Sequence, residues 1–197
     1  MKYTNSVKQF LEENASVFSI LSFFIFMTLF FVISADSFFT QRNFLNLLRQ
    51  SAPILIAATA MTFVITTGGI DLSVGSTLAI VNALCAILLI HQFHWILVLF
   101  ILIIVGITCG LVQGYFIAYE GIPAFIVTLA GMSSIRGIAL LMTEGFTIPI
   151  DRNLGIIYLG RGWLFGIPIP AIIAVVIIFI GYILLNNTTY GQYVTGI

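Results

Sequence analysis

Long apolar runs separated by short polar interruptions dominate the chain. A helix needs about 20 residues to cross the hydrocarbon of a bilayer, so charge-free windows of that length predict membrane spans. Six spans follow from the pattern: Ala15–Ala35, Ala52–Thr67, Val74–Ile90, Trp95–Ala118, Gly121–Met142 and Pro170–Leu185. The turn His91-Gln92-Phe93-His94 separates the third from the fourth. The sequence therefore predicts an all-α fold, a polytopic membrane helix bundle.

The remaining segments connect these spans within one predicted transmembrane domain, residues 1–197. Residues 1–14 form a polar N-terminal segment. Residues 37–50 combine two arginines with apolar residues at helical spacing, which predicts an interfacial helix. Residues 143–169 are rich in Gly, Pro and aromatics and predict a connector outside the membrane. Residues 186–197 follow the last span.

Composition agrees with a membrane protein. Hydrophobic residues make up 60% of the chain and charged residues 7%, far from the composition of soluble domains. The net charge is zero, so no basic face for nucleic acid is expected. Cys85 and Cys109 fall inside apolar runs, where a thiol usually behaves as a small buried hydrophobe.

The stretch from Thr66 to Ser76 predicts a break between two helices. Gly68 and Gly69 favour ending one helix, and Asp71 or Ser73 can cap the next. A carboxylate at membrane depth costs about 2.5 to 3.5 kcal/mol, so Asp71 should not face lipid. Two roles are open for Asp71: it caps or tethers the third helix, or it lies on a solute pathway or takes part in gating.

Arg136 is the second charged residue expected within the membrane. It lies about 20 Å along the fifth span from Pro123, at 1.5 Å per residue. The open roles are snorkelling, an ion pair with Asp71 or Glu144, and a place on the substrate pathway.

Uncharged features of the spans predict helix packing. Gly106, Gly110 and Gly114 recur every four residues, a spacing that allows close approach of a second helix. Asn82 and Gln113 are interpreted as hydrogen-bonding groups between helices.

Enzyme and metal chemistry find little support in the sequence. His91 and His94 lack a third ligand nearby, so no metal site is predicted. Neither a phosphate-binding glycine loop nor a nucleophile with a nearby base occurs. The chain is therefore expected not to be an enzyme and to hold no cofactor, and any ATP would bind a partner subunit.

Three motifs carry a resemblance to a known family. The first runs from Met61 to Ser76 and includes Thr67-Gly68-Gly69-Ile70-Asp71-Leu72-Ser73-Val74-Gly75-Ser76. The second, Ile122 to Met132 with Arg136-Gly137, follows in the right order. The third is Thr189-Tyr190-Gly191-Gln192-Tyr193 near the end. Together they resemble the permeases of ribose, xylose and galactose type ATP-binding cassette (ABC) sugar importers.

The resemblance implies a function and partners. It implies import of a ribose-like pentose or a hexose across the bacterial inner membrane. The partners would be a second permease copy or paralogue, a cytoplasmic ATP-binding subunit that Tyr190 and Gly191 help to contact, and an extracytoplasmic sugar-binding protein. Family members have about ten helices of about 20 residues, so the six predicted here imply a truncated chain. Residues 1–14 would be cytoplasmic, the connector 143–169 external, and residues 186–197 the start of the cytoplasmic coupling segment, although loop arginines favour the opposite orientation.

Other functions remain open. The solute could instead be a nucleoside or a sugar-like signalling molecule. An ATP-independent secondary transporter would use Asp71 and Arg136 for ion coupling. In a structural or assembly protein, the same two residues would only hold helices together.

Overall fold

The computed structural model describes residues 15–151 and 155–196, so the predicted N-terminal segment lies outside the described residues. The described residues form eight helices and one short hairpin: α1 (Ala15–Ser34), α2 (Gln41–Thr66), α3 (Val74–Ile90), α4 (Trp95–Ala118), α5 (Ala124–Thr143), α6 (Gly155–Arg161), β1 (Trp163–Leu164), β2 (Ile167–Pro168), α7 (Ile169–Asn187) and α8 (Thr189–Thr195). The predicted fold class, an all-α membrane helix bundle, is confirmed.

Most of the predicted spans are long enough to cross a membrane. Within the described residues, α1, α2, α4, α5 and α7 reach the necessary length and hydropathy. Helix α3 is apolar but has only 17 residues, about 26 Å at 1.5 Å per residue. Helix α3 is therefore at the lower limit of the length that a membrane crossing needs.

The chain divides into two compact units, Met1–Leu47 and Leu48–Ile197. In the first unit, α1 buries none of its residues, although nearly all of them are apolar. A helix that is apolar on every side suits contact with lipid. After α1, the ring of Phe31 stacks on that of Phe38, with centroids 5.5 Å apart. The backbone N–H of Asn43 donates to Thr40 Oγ1 at 3.2 Å and so caps the start of α2.

The separate interfacial helix predicted over residues 37–50 is wrong. Instead, α2 continues for 26 residues from Gln41 to Thr66, through Pro53. A proline has no N–H, so one carbonyl of the preceding turn gives up its hydrogen bond. One such loss is tolerated in membrane helices, and the apolar residues on both sides of Pro53 continue the helix. Whether the first turns of α2 lie at a membrane interface stays a prediction.

The core of the second unit lies where α3 packs against α4 and α5. One face of α3 is buried, and its members recur at helical spacing: Ser76, Ile80, Ala83, Ala86 and Leu89. Thr128 and Ala139 are the buried residues of α5. Thr128 contacts the chain just before α3, whereas Ala139 lines a cavity with Ala83 and Ala86 farther along it. Helices α3 and α5 are therefore parallel.

The described part of the predicted connector is ordered. Strands β1 and β2 pair antiparallel around Phe165 and Gly166, whose φ angles of 51° and 79° suit a tight two-residue hairpin turn. Ile150 and Ile156 pack against a cluster of Leu89, Val98 and Leu102. The connector thus covers the ends of α3 and α4 that meet at the His91–His94 turn.

Candidate translocation site

The predicted glycine pair lies at the end of α2. Gly68 N–H donates to the Ile65 carbonyl at 2.9 Å, and Gly69 N–H donates to the Val64 carbonyl at 3.0 Å. Gly68 has a φ of +77°, a left-handed conformation that glycine adopts at little cost. This arrangement is a Schellman motif. The chain then stays out of helix over residues 67–73, called the break segment below.

Asp71 is tied to the start of α3. Its Oδ1 accepts hydrogen bonds from the backbone N–H and the hydroxyl of Ser73, both at 2.7 Å. Ser73 is the N-cap residue of α3, but its side chain caps no helix N–H. Ser73 is only 1% exposed, so the carboxylate supplies the acceptor for both of its buried donors.

Thr128 joins the break segment to α5. Its hydroxyl lies 3.1 Å from the Ile70 carbonyl and 2.8 Å from the Ala124 carbonyl of its own helix. The residue is 2% exposed. A single hydroxyl proton serves both carbonyls, so Thr128 positions the segment that carries Asp71 against the first turn of α5.

These residues line a cavity of about 280 Å³, called the break cavity. Its polar lining comes from three elements: Asp71 and Thr67 of the break segment, Thr128 of α5 and Gln113 of α4. The sequence predicts only a packing role for Gln113 and no role for Thr128. Each lies in a mostly apolar helix that also holds other polar residues, so residue type alone does not mark these two as cavity residues.

The glycine ladder of α4 does not pack as predicted within this chain. A Cβ at Gly106, Gly110 or Gly114 would meet no described atom within 4 Å beyond the helix itself. Gly110 and Gly114 instead line the break cavity. The close contact of α3 with α5 includes alanine and serine residues. These side chains are also small, but they do not form a regular glycine pattern that can be recognised in the sequence.

Arg136 lies in a different place from Asp71. It lines a second cavity of about 420 Å³, called the Arg136 cavity, together with Asn82, Thr143 and Thr147. Since α3 and α5 are parallel and Asp71 lies near Thr128, Arg136 is about 12 Å farther along α5.

The described residues do not form the ion pair of Arg136 with Asp71 or Glu144, which is one of the roles that the sequence leaves open for this residue. The Arg136 guanidinium is exposed, and no ion pair or hydrogen bond joins it to another described residue. Glu144 is the left-handed C-cap of α5, with a φ of 51°, and is also exposed. A residue at the end of the helix is about two turns away from Arg136.

The two histidines act at helix ends. His91 is the C-cap residue of α3, and His94 Nδ1 accepts a hydrogen bond from Ile96 N–H at 3.4 Å at the start of α4. Over the described ranges, no group of three or more His, Cys, Asp or Glu side chains is arranged to hold a metal ion.

Comparison with known proteins identifies the family of this helix bundle. Residues 43–197 match the family described as a branched-chain amino acid transport system permease component. The matched region contains the break segment, Arg136 and α8. The chain belongs to this permease family. No solved structure matches the permease significantly.

Curated relatives of the permease are named as sugar importers. It is 34% identical to the ribose import permease protein RbsC of Haemophilus influenzae over 95% of the chain and 58% of that protein. It is 40% identical to RbsC of Bacillus subtilis over 79% of the chain and 49% of that relative. The xylose transport system permease protein XylH of Escherichia coli is 40% identical over 68% of the chain and 35% of its own length. The chain thus spans about half the length of the first two relatives.

The residues expected to contact an ATPase lie in helix α8, which follows α7. Helix α8 begins after Thr188, whose Oγ1 accepts a hydrogen bond from Gly191 N–H at 3.2 Å. A Cβ on Gly191 would overlap the backbone carbonyls of Leu184 and Leu185, so a glycine is required for this close turn. The Tyr190 side chain is exposed on one side and lies near Phe63, with ring centroids 6.1 Å apart. Their role in coupling stays a prediction.

Proposed function

We propose that the chain is part of the membrane-spanning subunit of an ABC importer that moves a sugar, a ribose-like pentose or a hexose, across the bacterial inner membrane. The observation that carries this proposal is the similarity to named sugar import permeases over nearly all of the chain. The proposed partners are a second permease subunit, a cytoplasmic ATPase and an extracytoplasmic sugar-binding protein.

The break cavity supports the choice of a neutral, hydroxylated solute. Its polar groups are one carboxylate, one amide and two hydroxyls, and the rest of its lining is apolar or glycine. Such sites fix the orientation of a small molecule through a few polar groups in an apolar setting. Discontinuous helices at membrane depth are a common way to build a solute pathway in transporters.

The break segment is the proposed pathway element. Asp71 keeps Ser73 and the start of α3 in place, and Gly69, Ile70 and Asp71 line the cavity. Arg136 is proposed to line the pathway at a second level, in the Arg136 cavity.

The direct test is uptake by cells that lack their own sugar permeases. The chain, with any coding sequence that follows the codon of Ile197, is co-expressed with the ATPase and binding protein encoded beside it. Uptake of labelled ribose, xylose and galactose is measured, with leucine and a nucleoside for comparison. We expect sugar uptake that disappears when the ATPase is inactivated in its nucleotide-binding loop.

Three outcomes would contradict the proposal. Uptake of leucine without sugars would indicate an amino acid permease, which the description of the family allows. Uptake of the nucleoside alone would indicate a nucleoside permease. Sugar uptake that persists without the ATPase would indicate a secondary transporter.

A further inference from the structure

Gln113 separates two cavities. It lines the break cavity and also a cavity of about 450 Å³ between α4 and α5, called the α4–α5 cavity. Among the described residues, no other side chain lines both. The α4–α5 cavity is mostly apolar and includes Cys109, Phe116 and Gly131. The Gln113 amide is therefore a polar group at the boundary between a polar and an apolar compartment.

The orientation of the amide follows from its one hydrogen bond. Nε2 donates to the Cys109 carbonyl of the preceding turn at 3.2 Å. A flipped amide would place two oxygens against each other there, so the nitrogen belongs on this side. The opposite atom, Oε1, then faces Gly131 of α5, where a Cβ would lie only 2.7 Å from it.

The amide oxygen is buried and unpaired. Gln113 Oε1 has no hydrogen-bond partner among the described residues and is closed to solvent. A buried acceptor without a partner is unfavourable, and native structures contain few of them. Because Oε1 has no hydrogen bond, moving it away from Gly131 breaks none. A donor that enters either cavity can then form one with it.

The hydroxyl protons and one carboxylate oxygen of the break cavity are already engaged. Asp71 Oδ1 accepts two hydrogen bonds from Ser73, the Thr128 hydroxyl is used by two carbonyls, and the Thr67 hydroxyl donates to the Val64 carbonyl at 2.8 Å. Asp71 Oδ2 accepts no hydrogen bond from a described residue, but among the described residues only Gln113 Oε1 is an unpaired side-chain acceptor that is closed to solvent. A solute hydroxyl is a donor of the right kind.

We propose that Gln113 is a specificity-determining residue, which accepts a hydrogen bond from a solute hydroxyl where the solute passes between the break cavity and the α4–α5 cavity. Gly131 provides the space in which the amide oxygen rests before the solute arrives. The inference deepens the proposed function and rests on it, because the hydroxylated solute is the proposed sugar.

The test compares a transported sugar with analogues that each lack one hydroxyl. Initial uptake is measured in the complete system for the unaltered permease, Gln113→Met and Gln113→Glu. Methionine keeps the length of the side chain without a strong acceptor, whereas glutamate keeps an oxygen. Gln50→Met is the matched control, because Gln50 is exposed on α2 and lines neither cavity.

We expect Gln113→Met to lower kcat/KM for the parent sugar roughly tenfold, the factor for about one hydrogen bond. One deoxy analogue should be transported equally well by the unaltered permease and by the Gln113→Met variant, so the variant no longer discriminates between this analogue and the parent. Gln113→Glu loses the donor to the Cys109 carbonyl, so it should lower overall uptake but retain that discrimination. Gln50→Met should change nothing.

A second variant tests whether the position of the amide oxygen beside Gly131 matters. Gly131→Ala places a Cβ where Oε1 lies, and the flexible end of Gln113 can move aside without disturbing the backbone. We expect this variant to fold normally and to change discrimination against the same deoxy analogue. Gly137→Ala, on the same helix with open space around its Cβ, is the control.

The outcomes separate the two proposals. If the unaltered permease transports no sugar, the proposed function and this inference both fail. If it transports sugar but Gln113→Met lowers the uptake of parent and analogues by one common factor, or not at all, only the inference is overturned.

Discussion

The break cavity and the Arg136 cavity use their polar residues in opposite ways. Asp71 is fixed by two short hydrogen bonds to a buried serine, and Thr128 anchors the same segment to α5. Arg136 is exposed and has no bond to another described residue, although it lies well inside an apolar helix. Both groups carry a charge in a chain with few charges, but only the first is part of the local structure.

This difference suggests that Asp71 contributes to the stability of the fold and Arg136 to transport. A charge held by neighbouring groups is costly to remove because its partners are left buried and unsatisfied. A charge without such partners can be replaced without that cost, so its presence in a membrane helix favours a functional role. Four substitutions test this contrast, from the largest expected effect on stability to the smallest.

Asp71→Leu should be the most destabilising of the four. It removes the acceptor for two donors of Ser73, which is 1% exposed. Hydrogen bonds to charged groups contribute about 1.5 to 3 kcal/mol each, so we expect a loss of about 3 kcal/mol or more. The measurement is the unfolding midpoint of the purified protein in detergent.

Asp71→Asn is the matched control, since its amide oxygen can still accept from Ser73. We expect it to fold nearly normally. Normal uptake by this variant would assign Asp71 to structure alone, whereas lost uptake with an unchanged unfolding midpoint would place the charge on the pathway. An unchanged midpoint for Asp71→Leu would show that the two Ser73 bonds contribute little.

The break itself could be read from the sequence. Gly68 adopts the left-handed conformation that its residue type favours, and Asp71 and Ser73 are the residue types that bond locally beside a helix start. Such signals depend only on neighbouring residues. Whether Arg136 forms an ion pair could not be read in the same way, because that depends on the relative height of two helices that are distant along the chain.

Ala139→Leu should have the second largest effect. Ala139 is 5% exposed and belongs to the interface where α5 packs on α3. Extra carbon atoms in a packed interface cost about 1 to 3 kcal/mol, and we expect a cost in the lower part of that range because Ala139 also lines the Arg136 cavity, which can take up part of the leucine side chain. Ala58→Leu, at an exposed position of α2, should leave the unfolding midpoint in detergent nearly unchanged. Equal midpoints for both variants would mean that the α3–α5 interface is loosely packed.

The packing predicted for the glycines of α4 is not seen among the described residues of this chain. The regular glycines of α4 indicated a tight helix contact, but Gly110 and Gly114 border the break cavity. Small residues give space, and sequence alone does not say whether a helix or a cavity occupies it. Likewise, the predicted second span begins at Ala52, but the helix already begins at Gln41 and continues through Pro53.

Thr128→Val should have a moderate effect. It removes the hydroxyl that donates to the Ile70 carbonyl while keeping a similar shape. Hydrogen bonds between membrane helices contribute about 0.6 kcal/mol on average, so a loss of about 1 kcal/mol or less is expected in the detergent unfolding assay. The control is Ser133→Ala, since the Ser133 hydroxyl is exposed and donates only to a carbonyl of its own helix. A loss as large as that of Asp71→Leu would make Thr128 the main anchor of the break segment.

Arg136→Gln should leave stability within about 0.5 kcal/mol, because no described group loses a partner. If Arg136 lines the pathway, sugar uptake should fall all the same, with the unfolding midpoint in detergent unchanged. Arg161→Gln, on the connector helix α6, also removes an exposed arginine and should change neither quantity. A large drop in stability for Arg136→Gln would mean that the guanidinium is bound in the folded protein. The contrast between the two cavities would then be lost, since both charges would belong to the structure.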